Sequence, residues 1–316
     1  VPQESPALAA KDHADPLGEK SSDESVLDGA ISQPKRRLIR PKGSPWKKPA
    51  HTRIITIANQ KGGVGKTTTA VNLATALALG GQRVLLIDSD PQGNASTALG
   101  IEHSSDVDSI YDVLIEDASL IDVERPSALT QGLTCVPATI ELAGAEIELV
   151  SFVARETRLQ RAIESYLVQK NKDGDPVDYV IIDCPPSLGL LTLNAFVAAR
   201  EVLIPIQCEY YALEGLSMLI RNIDMIRRHL NPVLHISTIL LTMYDGRTKL
   251  SSQVAEEVRS VFPDQVLNAM VPRSVRISEA PSHGETVLTY DPMSTGSLAY
   301  LGAAREFVER DPSCRS

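Results

Sequence analysis

The 316-residue sequence predicts an α/β protein, a doubly wound and mainly parallel sheet flanked by helices, and three observations carry that prediction. From residue 53 onward, short apolar runs alternate with amphipathic stretches, the texture of βα units that feed a parallel sheet. The runs are continuous in Val, Ile and Leu rather than alternating with polar residues, as strands covered on both faces are. The first run, Ile54-Ile55-Thr56-Ile57-Ala58, leads through Asn59-Gln60-Lys61-Gly62-Gly63-Val64-Gly65-Lys66-Thr67-Thr68 into a helix-like stretch.

In chain order, residues 1–52 stand outside this pattern. They are rich in Ser, Pro, Asp, Glu and Lys with only isolated apolar residues, so they bury too little surface to offset the entropy of ordering. They read as a disordered, charge-segregated tail, and residues 53–316 as one folded domain without internal repeat. Within it strands are expected at 54–58, 83–88, 133–137, 179–183, 202–207, 236–242 and 266–271. Helices are expected between and after them at 68–78, 108–114, 140–149, 155–169, 191–199, 213–230, 251–261 and 297–309.

Functional groups in open α/β sheets gather at the carboxyl ends of the strands. The first strand ends in the glycine-rich turn, where a curled backbone aims several N–H groups at an anion and the helix dipole adds positive potential. Lys66 would reach β- and γ-phosphates, and the Thr67 hydroxyl would hold Mg²⁺ directly. The generic phosphate-loop pattern wants glycine five residues before Gly65; this chain has Gln60 there and a second lysine, Lys61, opening the loop. The second strand ends in Asp88-Ser89-Asp90-Pro91-Gln92-Gly93-Asn94, and a central one in Asp183-Cys184-Pro185-Pro186-Ser187. A hydrophobic strand ending in Asp downstream of a phosphate loop is where a carboxylate orients Mg²⁺ or its waters. Asp88 and Asp90, two apart in the chain, need separate roles, and only one of them is expected to face a γ-phosphate.

Lys61 to Thr68 form a deviant Walker A box. With Asp88 to Asn94 and Val180-Ile181-Ile182-Asp183-Cys184-Pro185-Pro186, the sequence resembles the ParA/Soj chromosome-partitioning ATPases, P-loop ATPases of the MinD/ParA superfamily. Glu209-Tyr210-Tyr211-Ala212-Leu213-Glu214-Gly215, the stretch 241–248 and Pro272-Arg273-Ser274-Val275-Arg276 extend the likeness over roughly residues 53–310. The resemblance implies an ATPase whose nucleotide contacts Lys61, Gly62, Gly63, Val64, Gly65, Lys66, Thr67 and Thr68. It makes Lys61 the signature lysine that crosses a dimer interface to the partner's nucleotide, and Asp90 the residue that positions the hydrolytic water. By the same resemblance Asp88 and Asp183 would lie near Mg²⁺, through water, and Pro272 with Met243 would flank the adenine. Gly62 falls where two loops meet across the dimer, so a side chain there should block it. Arg247 and Arg276 fall where family members bind DNA non-specifically.

The resemblance thus implies ATP and Mg²⁺, an ATP-state homodimer, and non-specific double-stranded DNA. It also implies a ParB-type centromere-binding partner that stimulates hydrolysis, with room for a polar scaffold protein, at a cytoplasmic, nucleoid-associated location. The alternative is a MinD-like membrane-associated ATPase of cell-division positioning, which needs a basic amphipathic C-terminal helix; the ending Val308 to Ser316 is short, mixed in charge and broken by Pro312. No stable membrane anchor is expected, because no run of about 18 apolar residues occurs and no apolar signal region opens the chain.

Charge sharpens the DNA expectation. Residues 1–30 carry −5 and residues 31–53 carry +8, so the total of −9 leaves −12 on the remainder. DNA binding by the folded domain therefore needs a local basic patch; Arg221, Arg227, Arg228, Lys249 and Arg273 share the C-terminal half with Arg247 and Arg276. Cys135, Cys184, Cys208 and Cys314 form no C-x-x-C pair, which argues against structural zinc or a disulfide framework.

Overall fold

The computed structural model describes residues 46–210 and 212–311. Eight strands are described: β1 (Arg53–Ile57), β2 (Val84–Asp88), β3 (Arg125–Pro126), β4 (Leu133–Val136), β5 (Tyr179–Asp183), β6 (Glu201–Gln207), β7 (His235–Tyr244) and β8 (Val266–Pro272). They form one sheet in the order β3-β4-β2-β5-β1-β6-β7-β8. Every pairing is parallel except β3 with β4, so the doubly wound, mainly parallel sheet is the fold observed. Around it lie α1 (Lys66–Leu79), α2 (Asn94–Ala98), α3 (Ile110–Ile115), α4 (Leu120–Val123), α5 (Leu142–Glu148) and α6 (Arg158–Lys172). The remaining helices are α7 (Leu190–Ala198), α8 (Ala212–His229), α9 (Lys249–Val261), α10 (Val275–Glu279), α11 (Val287–Tyr290) and α12 (Thr295–Glu309).

The continuous apolar runs have their explanation in two cores, one on each face. Successive strand residues point to opposite sides: Leu85, Ile87, Val180 and Ile182 join one core, while Val84, Leu86, Tyr179 and Ile181 join the other. The first core is closed by α3, α5, α6, α7 and α8, the second by α1 and α12. Register then does functional work. In the β2–β5 pair Asp88 stands opposite Asp183, and in the β1–β5 pair Asp183 stands opposite Ile57, one residue before the chain leaves for the glycine turn. Two carboxylates therefore end adjacent strands side by side, next to the strand that delivers the phosphate loop.

The expected strands all form. The two-residue β3 and the short helices α2, α4, α10 and α11 were not expected, because four- or five-residue helices show no 3.6-residue periodicity to read. The edge of the packed chain also differs from the expected boundary at residue 52. The Trp46 N–H donates to the Gly80 carbonyl at 3.0 Å, and Gln82 Nε2 donates to the Trp46 carbonyl at 3.0 Å. Lys48 Nζ reaches Asp178 at 2.7 Å. A Cβ on Gly80 would come within 2.3 Å of the indole, so this docking depends on glycine there. The expectation of disorder for the rest of the tail, the basic stretch 34–42 included, lies outside the described residues, as does Cys314.

Candidate nucleotide site

The phosphate loop begins where β1 ends. Gly63 and Gly65 adopt φ of 72° and 85°, a left-handed backbone that glycine enters without strain. They turn the chain into α1, whose first turn holds no acid and whose N-cap, Gly65, offers no side-chain bond. The first N–H groups of α1 are thus left for an anion. Lys66 is the cation of this cradle. Its Nζ donates to the Lys61 carbonyl at 3.4 Å; burial pulls its pKa down while Asp183 and Asp90 oppose that pull.

Lys61 behaves differently. Its backbone N–H donates to Asn59 Oδ1 at 3.0 Å, and its ammonium leaves the cleft to donate to Glu209 Oε2 at 3.0 Å. Glu209 also accepts from Gln207 and faces Arg273 at 3.7 Å. Gly62, next along, has no atom within 4 Å of where a Cβ would sit and no left-handed φ. Nothing inside the described chain therefore requires glycine at 62.

Under the loop lie the carboxylates. Asp88 is fully buried; its Oδ2 accepts from the Ser96 N–H and hydroxyl, each at 2.8 Å, and its Oδ1 from the Asp90 N–H at 3.3 Å. Burial still raises its pKa to about 6 against those bonds. Asp183 is also fully buried, and neither carboxylate oxygen has a hydrogen-bond partner. Burial and then the Asp88 charge push its pKa well up. An orphaned buried carboxylate facing a second one is costly as it stands, and a divalent cation with its waters beside Thr67 would reverse that cost. Among the described residues no group of three or more His, Cys, Asp or Glu could hold a metal alone.

Asp90 is the residue that faces outward. It lines a cleft of about 810 Å³ with Gly62, Gly63, Gly65, Lys66, Thr67, Thr68 and Met243, whereas Asp88 does not. The pair separates because β2 ends at Asp88, which leaves Asp90 on the loop that follows rather than on the strand. Asp90 Oδ1 accepts the Gln92 N–H at 3.1 Å, which fixes its orientation. Val64 is buried beneath the loop rather than lining the cleft. Pro272 lines a smaller pocket of about 230 Å³ that shares Gly65, Thr68, Met243, Ile277 and Ser278 with the cleft. Met243 has φ 49°, a strained conformation for a residue with a side chain. One apolar-walled pocket beside one phosphate cradle suits a purine nucleotide.

Arg247 and Arg276 lie away from the cleft. Arg247 is 89% exposed and pairs with Asp245, Nε at 2.9 Å and Nη2 at 2.8 Å, which lowers the Asp245 pKa to about 2. Arg276 pairs with Glu279 at 3.2 Å and Asp291 at 3.4 Å. Both carry partners within their own chain. Sequence reading missed Ser96 on Asp88 and Glu146, which lines the cleft and accepts the Leu191 N–H at 3.5 Å. Glu146 sits mid-helix with no motif around it, so no local signal could have found it. Among the described residues no helix is long and apolar enough to cross a membrane.

A glycine cradle on a helix N-terminus, a buried lysine and two carboxylates on adjacent strand ends define a P-loop nucleotide-binding protein. Residues 52–236 match the AAA domain family. The chain is 54% identical to the sporulation initiation inhibitor protein Soj of Bacillus subtilis over 80% of its length and 97% of that protein's. It is 52% identical to the chromosome partitioning protein ParA of Caulobacter vibrioides, covering 82% and 95%. A Mycobacterium smegmatis structure described as cobyrinic acid a,c-diamide synthase with bound ADP and magnesium superposes with a TM-score of 0.67 at 38% identity, covering 80% and 92%. The chain belongs to the ParA/Soj family of chromosome-partitioning ATPases. The Mycobacterium smegmatis neighbour holds ADP and magnesium, and the cleft of this chain has room and chemistry for a nucleotide with its metal.

Proposed function

We infer that this ATPase is a nucleotide-switched DNA-binding dimer. ATP joins two subunits, the dimer holds DNA through phosphates without reading sequence, and a ParB-type protein on a centromere-like site triggers hydrolysis and release. One observation carries the reading. The loop holds two lysines, but only Lys66 serves the subunit's own cradle, while Lys61 is turned out onto Glu209 beside an unobstructed Gly62.

In this reading the loop N–H groups and Lys66 bind the phosphates, and Met243 with Pro272 flanks the adenine. Thr67 would hold Mg²⁺ directly, with Asp88 and Asp183 acting through water, and the ion would supply positive charge against the phosphate oxygens. Asp90 orients a water for attack on the γ-phosphorus, and the bond to the ADP oxygen breaks. Lys61 of the opposing subunit adds positive charge to the transferring group, after its pair with Glu209 opens. Positioning and charge stabilisation account for most of phosphoryl-transfer catalysis, so a protein that completes its charge set only on dimerising turns over slowly until a partner orders it. Arg247 and Arg276 would contact DNA phosphates, and pairing two subunits would join both patches into one stripe despite the acidic domain.

The test is retention on DNA-coated beads with ATP, ADP or no nucleotide. Binding is expected with ATP alone, equal for unrelated sequences and steeply lost with salt. Equal retention in all three states, or retention on anionic vesicles instead of DNA, would overturn the reading.

A further inference from the structure

We propose that Thr242 is a positioning residue for the phosphate loop: its hydroxyl fixes the peptide unit that presents the Gly65 N–H to the nucleotide. The proposal rests on residues 61–68 being the phosphate cradle. Thr242 stands near the C-terminal end of β7, is 2% exposed, and donates its hydroxyl to the Val64 carbonyl at 2.9 Å. Val64 is itself 1% exposed and sits between Gly63 and Gly65, whose φ of 72° and 85° mark a segment with few steric restraints of its own. Where two glycines leave the backbone free to rotate, whatever grips the residue between them sets the direction of its peptide.

That direction matters because a peptide is planar and trans, so its C=O and the following N–H point oppositely. Tethering the Val64 carbonyl to the strand turns the Gly65 N–H away from the strand, toward the side lined by Gly63, Lys66 and Thr67. Without the tether the peptide can flip and present a carbonyl to the phosphates, replacing an attraction by a repulsion. The contact spans 178 residues, so it is a deliberate tie between distant parts of the chain rather than a local turn. The next residue, Met243, lines both the cleft and the smaller base pocket. The anchor of the loop and the wall of the base pocket are consecutive residues of one strand.

The experiment uses the full chain carrying Thr242→Val, which replaces the hydroxyl by a methyl of similar size, and Thr242→Ser, which keeps it. Binding of Mg²⁺·ADP is measured by calorimetry, and the Gly65 amide proton is followed by NMR as ADP is added. Thr242→Val should weaken ADP by about tenfold and blunt the ADP-induced downfield shift of the Gly65 amide. Thr242→Ser should restore both to within about twofold of wild type. A merely structural role would lower the melting temperature and leave affinity and amide shift alone. If the valine variant does not fold, Thr242→Ala, which also lacks the hydroxyl, carries the same expectation. Wild-type affinity and an unchanged Gly65 shift in the folded variant would overturn the proposal. Failure of the wild type itself to bind ADP would overturn the cradle reading instead.

Discussion

Asp183→Asn should stabilise the nucleotide-free protein while removing its response to Mg²⁺·ADP. Asp183 is fully buried with neither oxygen partnered, and its charge faces that of Asp88 across the β2–β5 register. A neutral amide of the same shape removes that repulsion and part of the desolvation cost, a gain of about 2 kcal/mol. For a domain of this size about 1 kcal/mol moves the melting temperature by roughly 2–4 °C, so the variant should melt roughly 4–8 °C higher in EDTA near neutral pH. The sign with pH follows from burial. Asp183 is held well above its ordinary value of 3.8, and Asp88 is raised from the same value to about 6. A carboxyl raised on folding contributes stability that is fully present below its unfolded value and lost as pH rises through its folded one. The variant's advantage should therefore be small near pH 4 and widen as pH rises above the ordinary value of 3.8 toward the raised value of Asp183. Mg²⁺·ADP at a hundred times its Kd should stabilise the wild type by about 2.7 kcal/mol and leave the variant nearly unmoved. Scanning fluorimetry across pH, with and without Mg²⁺·ADP, reads all of this. A variant that melts lower than wild type in EDTA, or that keeps the full Mg²⁺·ADP response, would refute the placement of the metal beside Asp183.

Asp90→Ala should bind ATP and remain on DNA while phosphate release falls by about a hundredfold or more; normal turnover would take the water-positioning role from Asp90. Arg276→Glu should weaken DNA binding by about tenfold or more at moderate salt while ATP binding holds, and unchanged retention would move the DNA surface elsewhere. Asp245→Asn should do the reverse, since it releases Arg247 from its bidentate pair; a lower affinity would show that the pair itself orients Arg247 for DNA. Gly62→Val should fold and bind ADP as wild type does, because the Cβ position is open within the chain, yet stay monomeric in ATP. A monomer that also loses ADP binding would assign Gly62 to the cradle rather than to an interface.

The parts of the site legible in the sequence are those with a local cause. The glycine turn, the uncapped start of α1 and the acid at each strand end follow from a few adjacent residues, and parallel pairing brings the strand ends together. What sequence could not supply are contacts made across long separations. Lys61 meets Glu209 148 residues away, and Thr242 meets Val64 178 residues away. Each depends on β6 and β7 lying beyond β1 in the sheet order, a fact no local pattern encodes. The packed edge at Trp46 was missed for a related reason. A lone tryptophan among prolines and lysines gives no periodic signal, and its partners Gly80 and Gln82 lie at the far end of α1. For the arginines a surface salt bridge is the plain alternative, and Arg247 and Arg276 do pair with acids two and three residues away in the chain.

The central claim, an ATP-joined pair built around the second lysine, is tested most directly by molar mass. Size-exclusion chromatography with light scattering is run on wild type and on Lys61→Ala, in ADP and in a slowly hydrolysed ATP analogue. The account predicts twice the monomer mass for wild type in the analogue only, and monomer for Lys61→Ala in both. A Lys61→Ala protein that doubles its mass in the analogue as wild type does would contradict it.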